Sequence, residues 1–162
     1  MGMVWVARLA NEDEIAQVRA DPDSACDYID SEKDTRPFID LDKEWHALHF
    51  LLTGSVDPTN DPMSLILGDF EEIGEDCGYG PAFFISAKKF KAFNEAAANL
   101  DSAALKERYK TEEMVAQNVY LGEMYHREGE EGLNFLTERL DELREFAAKA
   151  ASGGLGAFAM IT

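Results

Sequence analysis

Hydrophobic and polar positions along the chain switch between a period of two and a period near 3.6, which predicts both strands and helices. Met3 to Leu9 (MVWVARL) is rich in Val and Trp and alternates weakly, as a first strand does. Leu41, Trp45, Leu48 and Leu52 recur at helical spacing and fall on one stripe, with Asp40 placed to cap and Gly54 to stop the helix. Pro81 to Ser86 (PAFFIS) reads as a second strand, apolar on both faces at its centre. Ser86 then caps a helix carrying Phe90, Phe93, Ala97 and Leu100. The longest helix spans roughly 130–151, where Leu133, Leu136, Leu140, Leu143, Ala147 and Ala150 keep one face apolar, and Leu155 to Thr162 closes the chain as a strand.

Weaker segments fill the gaps. Asn11 and Glu14 form a capping box for a short helix ended by Asp21-Pro22. Residues 22–38 read as a loop or marginal helix anchored by Tyr28 and Ile29. Further helices open at Asp101 or Ser102 and at Thr111, and 55–80 reads as loop with one helical turn at Met63–Leu67. The expected architecture is α+β: one domain over 1–162, with a small mixed sheet (strands near 3–9, 81–86 and 155–162) packed by several helices. The stripe on the longest helix is too short for a coiled coil and reads as internal packing, although pairing of such stripes in a homodimer is the alternative to a monomer.

Charge changes the picture more than composition does. The net charge is −17 and uneven: residues 1–80 hold 19 acids and five bases, whereas 81–162 hold 13 and ten. No Lys or Arg occurs between Lys43 and Lys88, where eight carboxylates fall. Such a surface repels phosphate backbones, so nucleic acid is not an expected partner, and a basic protein is. Solubility or adaptation to salt explains the charge equally simply.

No apolar run approaches the roughly 20 residues that span a bilayer, and the N-terminal stretch has neither the basic flank nor the length of a signal peptide. A cytoplasmic protein without membrane contact is expected. Cys26 and Cys77 lie 51 positions apart with no second cysteine near either, which predicts free thiols rather than a metal site or disulfide framework.

Candidate chemistry concentrates in DLDKEWHALHFLLTG, residues 40–54, where two of the chain's three histidines share one helical turn. Asp42, His46 and His49 at i, i+4 and i+7 face one side, yet positions seven apart lie about 10 Å apart along the axis, too far to converge on one ion. No metal is expected. His46 and His49 are candidate general bases and Thr53 a candidate nucleophile; Trp45, His49 and Tyr79 are candidate ligand contacts. No nucleophile elbow, phosphate loop or dinucleotide fingerprint occurs, so no cofactor is expected, and the balance leans against an enzyme. The plainer reading has His49 flanking the core beside Trp45 and donating to a loop carbonyl, with His46 facing solvent.

Met1-Gly2-Met3, the LDKEWHALHFLLTG motif, and Gly-x-Gly-Pro-Ala-x-Phe at Gly78 to Phe84 together resemble the YfbM-like family, small bacterial proteins of unknown function. The likeness runs through the long helix to the final strand, and departs at Tyr120, which is followed by Leu121 rather than proline. The resemblance implies a single α+β domain without an assigned activity. It matches Trp45, His49 and Thr53-Gly54 to motif positions but not His46 or Cys77, making His49 the better of the two histidines as a site residue. The leading expectation is a binding protein whose acidic first half engages a basic partner, of an inhibitor or immunity type. The alternative is a small-molecule binder or hydrolase-like enzyme using a cleft around Trp45 and His49.

Overall fold

The structure, a computed structural model, describes residues 2–162. In chain order the elements are β1 (Trp5–Ala10), α1 (Glu12–Ala20), α2 (Ala25–Ile29), β2 (Phe38–Asp40), α3 (Trp45–Thr53), β3 (Glu71–Asp76), β4 (Pro81–Ile85), α4 (Ala87–Ala97), α5 (Ser102–Arg108), α6 (Thr111–Ala116), α7 (Gly122–Glu128), α8 (Glu130–Gly153) and β5 (Gly156–Ile161). The class is α+β, as the sequence pattern implies. The sheet runs β2-β1-β5-β4-β3, and every pairing in it is antiparallel rather than mixed.

Both faces of the sheet are covered, which is why β1 is buried at all six positions instead of alternating. Trp5, Ala7 and Leu9 join Ala157, Ala159 and Ile85 under α3, α4 and α8 in the larger core. Val6, Ala10, Phe158, Met160, Ala82 and Ile73 meet Val18, Ala25 and Ile29 of the α1–α2 layer in a smaller one. The α8 stripe from Leu136 to Ala150 is spent inside the larger core.

Arg8 sits on the smaller-core face of β1, 5% exposed in an otherwise apolar strand. Its guanidinium donates to the carbonyls of Ile29 (3.0 Å), Ser31 (3.1 Å) and Arg36 (3.0 Å). A buried cation is tolerated when its donors are filled, and these bonds tie the 29–36 segment to the sheet.

The predicted caps at Asn11, Ser86 and Asp101 form, and Gly54 ends α3 in the left-handed conformation at φ 73°. Three expectations are corrected. Asp40 lies in β2, and α3 begins at Trp45 after a 3-10 turn over Asp42–Glu44. Residues 55–80 contain β3, whose EEIGED sequence buries only Ile73 and so lacks a strand's apolar signature. Met63–Leu67 is a set of turns, not helix, with Leu65 and Ile66 fully buried. A helix does open at Thr111, the first residue of α6, and its hydroxyl meets His126 Nδ1 at 3.0 Å.

Candidate functional site

The two histidines of α3 do closely related work. His49 is 0% exposed, and its Nε2 lies 2.9 Å from the carbonyl oxygen of Asp57. His46 Nε2 lies 3.0 Å from the carbonyl oxygen of Val56. Two rings three residues apart therefore donate to consecutive carbonyls of the loop that leaves α3. His46 is fixed on its other side as well, since the Tyr120 N–H donates to His46 Nδ1 at 2.9 Å. With Nδ1 accepting, Nε2 must carry the proton, so these partners assign the neutral tautomer. The expectation that His46 faces solvent is corrected: it is half-buried, and its ring stacks on Trp45 with centroids 5.0 Å apart.

Of the remaining members of the motif, Thr53 holds the same turn and Trp45 anchors the start of α3 to the N-terminal segment. Trp45 is 5% exposed and donates from Nε1 to the Met3 carbonyl at 3.1 Å. Thr53 Oγ1 donates to the His49 carbonyl at 2.8 Å and accepts from the Ser55 N–H at 3.1 Å. Burial lowers the pKa of His49, a shift only partly opposed by its bond to Asp57. Its Nδ1 is buried without a partner. The structure thus brings His46, His49 and Thr53 together as a clasp on residues 53–57, with Trp45 stacked on the His46 ring beside it. Among the described residues no group of three His, Cys, Asp or Glu side chains is placed to hold a metal ion.

A cavity of about 490 Å³ opens beyond the C-terminal end of α3. Phe50, Leu51 and Leu100 form its floor, and Thr53, Gly54 and Arg108 its rim. Arg108 donates to the Leu52 carbonyl at 2.9 Å, occupying part of the guanidinium in capping the helix. Of the sequence-derived candidates only Thr53 lines this space; Trp45, His46, His49 and Tyr79 do not.

A different arrangement forms at the β3 edge of the sheet. The turn at Pro22–Ser24 lies so close to β3 that a Cβ on Gly74 would sit 2.3 Å from the Pro22 carbonyl oxygen. Cys26 at the start of α2 and Cys77 after β3 are joined by a disulfide, with Cα atoms 5.6 Å apart. Free thiols, expected from their spacing, are corrected by this pairing; a sequence separation of 51 carries no local signal that the ends meet.

The α1–α2 layer and β3 thereby form one acidic surface. Asp21, Asp23, Asp27, Glu72, Glu75 and Asp76 are all exposed, and none makes an ion pair among the described residues. The one cation in this group of elements, Arg19, is taken by Glu71 at 2.8 Å. Tyr79 stands in the β3–β4 turn at 55% exposure, while its backbone N–H is anchored to the Ile161 carbonyl at 3.1 Å.

One buried polar group escaped the sequence reading altogether. Tyr125 is fully buried with no partner for its hydroxyl, and desolvation with the nearby Glu44 carboxylate raises its pKa. Glu44 lies 3.6 Å from Arg139 Nε, a contact between α8 and the turn before α3. Neither Glu44 nor Tyr125 belongs to a recognisable spacing, so only the fold brings them near each other.

Comparison with known proteins supports the fold and adds no activity. No curated protein matches the chain. A crystal structure of YfbM from Escherichia coli, described as a protein of unknown function, superposes with a TM-score of 0.75 at 20% identity. The match covers 98% of this chain and 99% of that one, so the two share a fold over their whole length. A family model for a domain of unknown function, DUF1877, matches residues 1–159. This chain therefore belongs to the DUF1877 family.

Proposed function

We propose that this protein is a binding protein that presents an acidic face to a basic protein partner, in the manner of an inhibitor or immunity protein. The observation that carries the reading is the group of six exposed, unpaired carboxylates on the α1–α2 layer and β3, with Tyr79 exposed beside them. Unpaired charges of one sign speed encounter with an oppositely charged surface, and an exposed tyrosine on an anchored turn is a typical centre for an interface. Two of the three segments are covalently joined, so the face is presented without a large ordering cost.

The competing reading, a small-molecule binder or hydrolase around Trp45 and His49, is weaker. Both ring nitrogens of His46 and the Thr53 hydroxyl are engaged by backbone, and the one unpartnered ring atom, His49 Nδ1, belongs to a side chain that is 0% exposed and so out of a substrate's reach.

The test is affinity capture followed by quantitation. Basic proteins retained by the immobilised chain at about 20 mM salt are identified, purified and titrated against wild type, D23K/E75K/D76K and Y79A. The reading expects affinity to fall at least about tenfold in each variant and to drop steeply with salt. A partner that binds all three alike, or no retained partner at low salt, refutes it.

A further inference from the structure

The acidic face is assembled from two pieces that repel each other. Asp23 and Asp27 lie on the α2 side, and Glu72, Glu75 and Asp76 on the hairpin side. Three things oppose the repulsion: the smaller core between Ala25, Ile29 and Ile73, the exposed Arg19–Glu71 ion pair, and the Cys26–Cys77 bond. Exposed ion pairs hold weakly, so the disulfide and the small core do most of the holding. The larger core lies on the opposite face of the sheet and involves neither cysteine.

We propose that the Cys26–Cys77 bond is a redox latch on the acidic face, whose opening by a dithiol frees the β3–β4 hairpin from α2 and weakens binding of the basic partner. The last step rests on the interaction reading above. Both cysteines are half-buried, so the bond is within reach of a reductant. A reductant thiolate attacks one Sγ, the Cys26–Cys77 bond breaks, and the released cysteine thiolate takes a proton. The second reductant thiol then displaces the mixed disulfide. Two electrons pass from the dithiol, which leaves as its own disulfide, and two protein thiols remain.

The surrounding carboxylates also set which reductant works. An attacking thiolate that carries further negative charge is repelled by Asp27, Glu75 and Asp76, whereas a thiolate with an ammonium group is not. The latch therefore selects neutral or cationic thiols over anionic ones such as glutathione.

The test uses the full chain in both redox forms. Hydrogen exchange should show amides of residues 71–80 exchanging at least about tenfold faster after reduction, with β1, β5 and α8 unchanged. At equal thiolate concentration, 2-aminoethanethiol should open the bond faster than 2-mercaptoethanol, and that faster than 2-mercaptoethanesulfonate, the order collapsing at about 0.5 M salt. A fluorescent octalysine peptide should bind the reduced form at least about threefold more weakly than the oxidised form. Two titratable thiols before any reductant, an unchanged hairpin, or unfolding of the whole chain on reduction would each overturn the latch, as would a flat reagent series its selectivity. Equal octalysine binding by both forms overturns the coupling to the face. A loosened hairpin with no octalysine binding by either form leaves the latch standing and removes the interaction reading instead.

Discussion

Removing His49 should cost far more than removing a surface histidine, and the structure says how much. The ring is fully buried and donates one bond to the Asp57 carbonyl. That bond contributes about 1 kcal/mol net, and truncating a buried ring to a methyl group adds about 2 kcal/mol or more in lost packing. His49→Ala is expected to destabilise by about 3 kcal/mol, or a fall of roughly 6–12 °C in Tm for a chain of this size. His49→Gln keeps an N–H donor near the same place and should recover about half of that loss. His46 holds the neighbouring carbonyl of the same loop, so once one ring is gone the loop frays and the second ring holds less. The double variant His46→Ala/His49→Ala should therefore be less destabilised than the sum of the singles by about 0.5–1 kcal/mol. Urea denaturation with a shared m-value measures all four species. Strict additivity, or a loss under about 1 kcal/mol for His49→Ala, refutes the clasp.

Three other outcomes follow from the same geometry. Burial holds the pKa of His49 below its ordinary value, so the unfolded chain takes up the proton first; the stability this confers is complete above about pH 6.5 and is lost as pH falls through the lower folded value. Wild type should thus lose stability relative to His49→Gln between about pH 7 and 5, and parallel pH curves would contradict this. The disulfide spans 51 residues, for which chain entropy gives about 4 kcal/mol, so Cys26→Ser/Cys77→Ser should melt roughly 8–16 °C lower, and a scan insensitive to dithiothreitol would argue against the bond. Gly74 has φ 76° and its Cβ position overlaps the Pro22 carbonyl, so Gly74→Ala should cost at least about 2 kcal/mol by thermal melting, whereas Gly54→Ala, with open space around it, should cost only about 1 kcal/mol.

What the sequence displayed and what it concealed divide along physical lines. Elements that bury one stripe or both faces announce themselves: β1, β5, α4 and α8 all follow from apolar period and caps. β3 does not, because an edge strand over a small core needs only one buried residue, and Ile73 among four carboxylates resembles loop. The pair of histidines was visible, and so was the bond from His49 to a loop carbonyl. The role of His46 was not, because its second partner, the Tyr120 N–H, lies 74 residues away. Arg8 reads only as one position of the first strand, while in the fold it organises the 29–36 segment. The disulfide and the joining of two acidic segments into one face are tertiary facts with no local trace. Negative charge could be counted from composition, but its collection on one edge could not.

The central claim, that the acidic face of α1, α2 and β3 is where this protein meets a basic partner, is tested most directly by a backbone-amide footprint of the complex. The partner captured at low salt is titrated into isotope-labelled chain, and amide shifts are followed residue by residue. The account predicts perturbation confined to residues 19–29 and 69–80, with Tyr79 among the largest, and its disappearance in D23K/E75K/D76K. A footprint centred instead on the cavity lined by Thr53, Gly54 and Arg108 would contradict it.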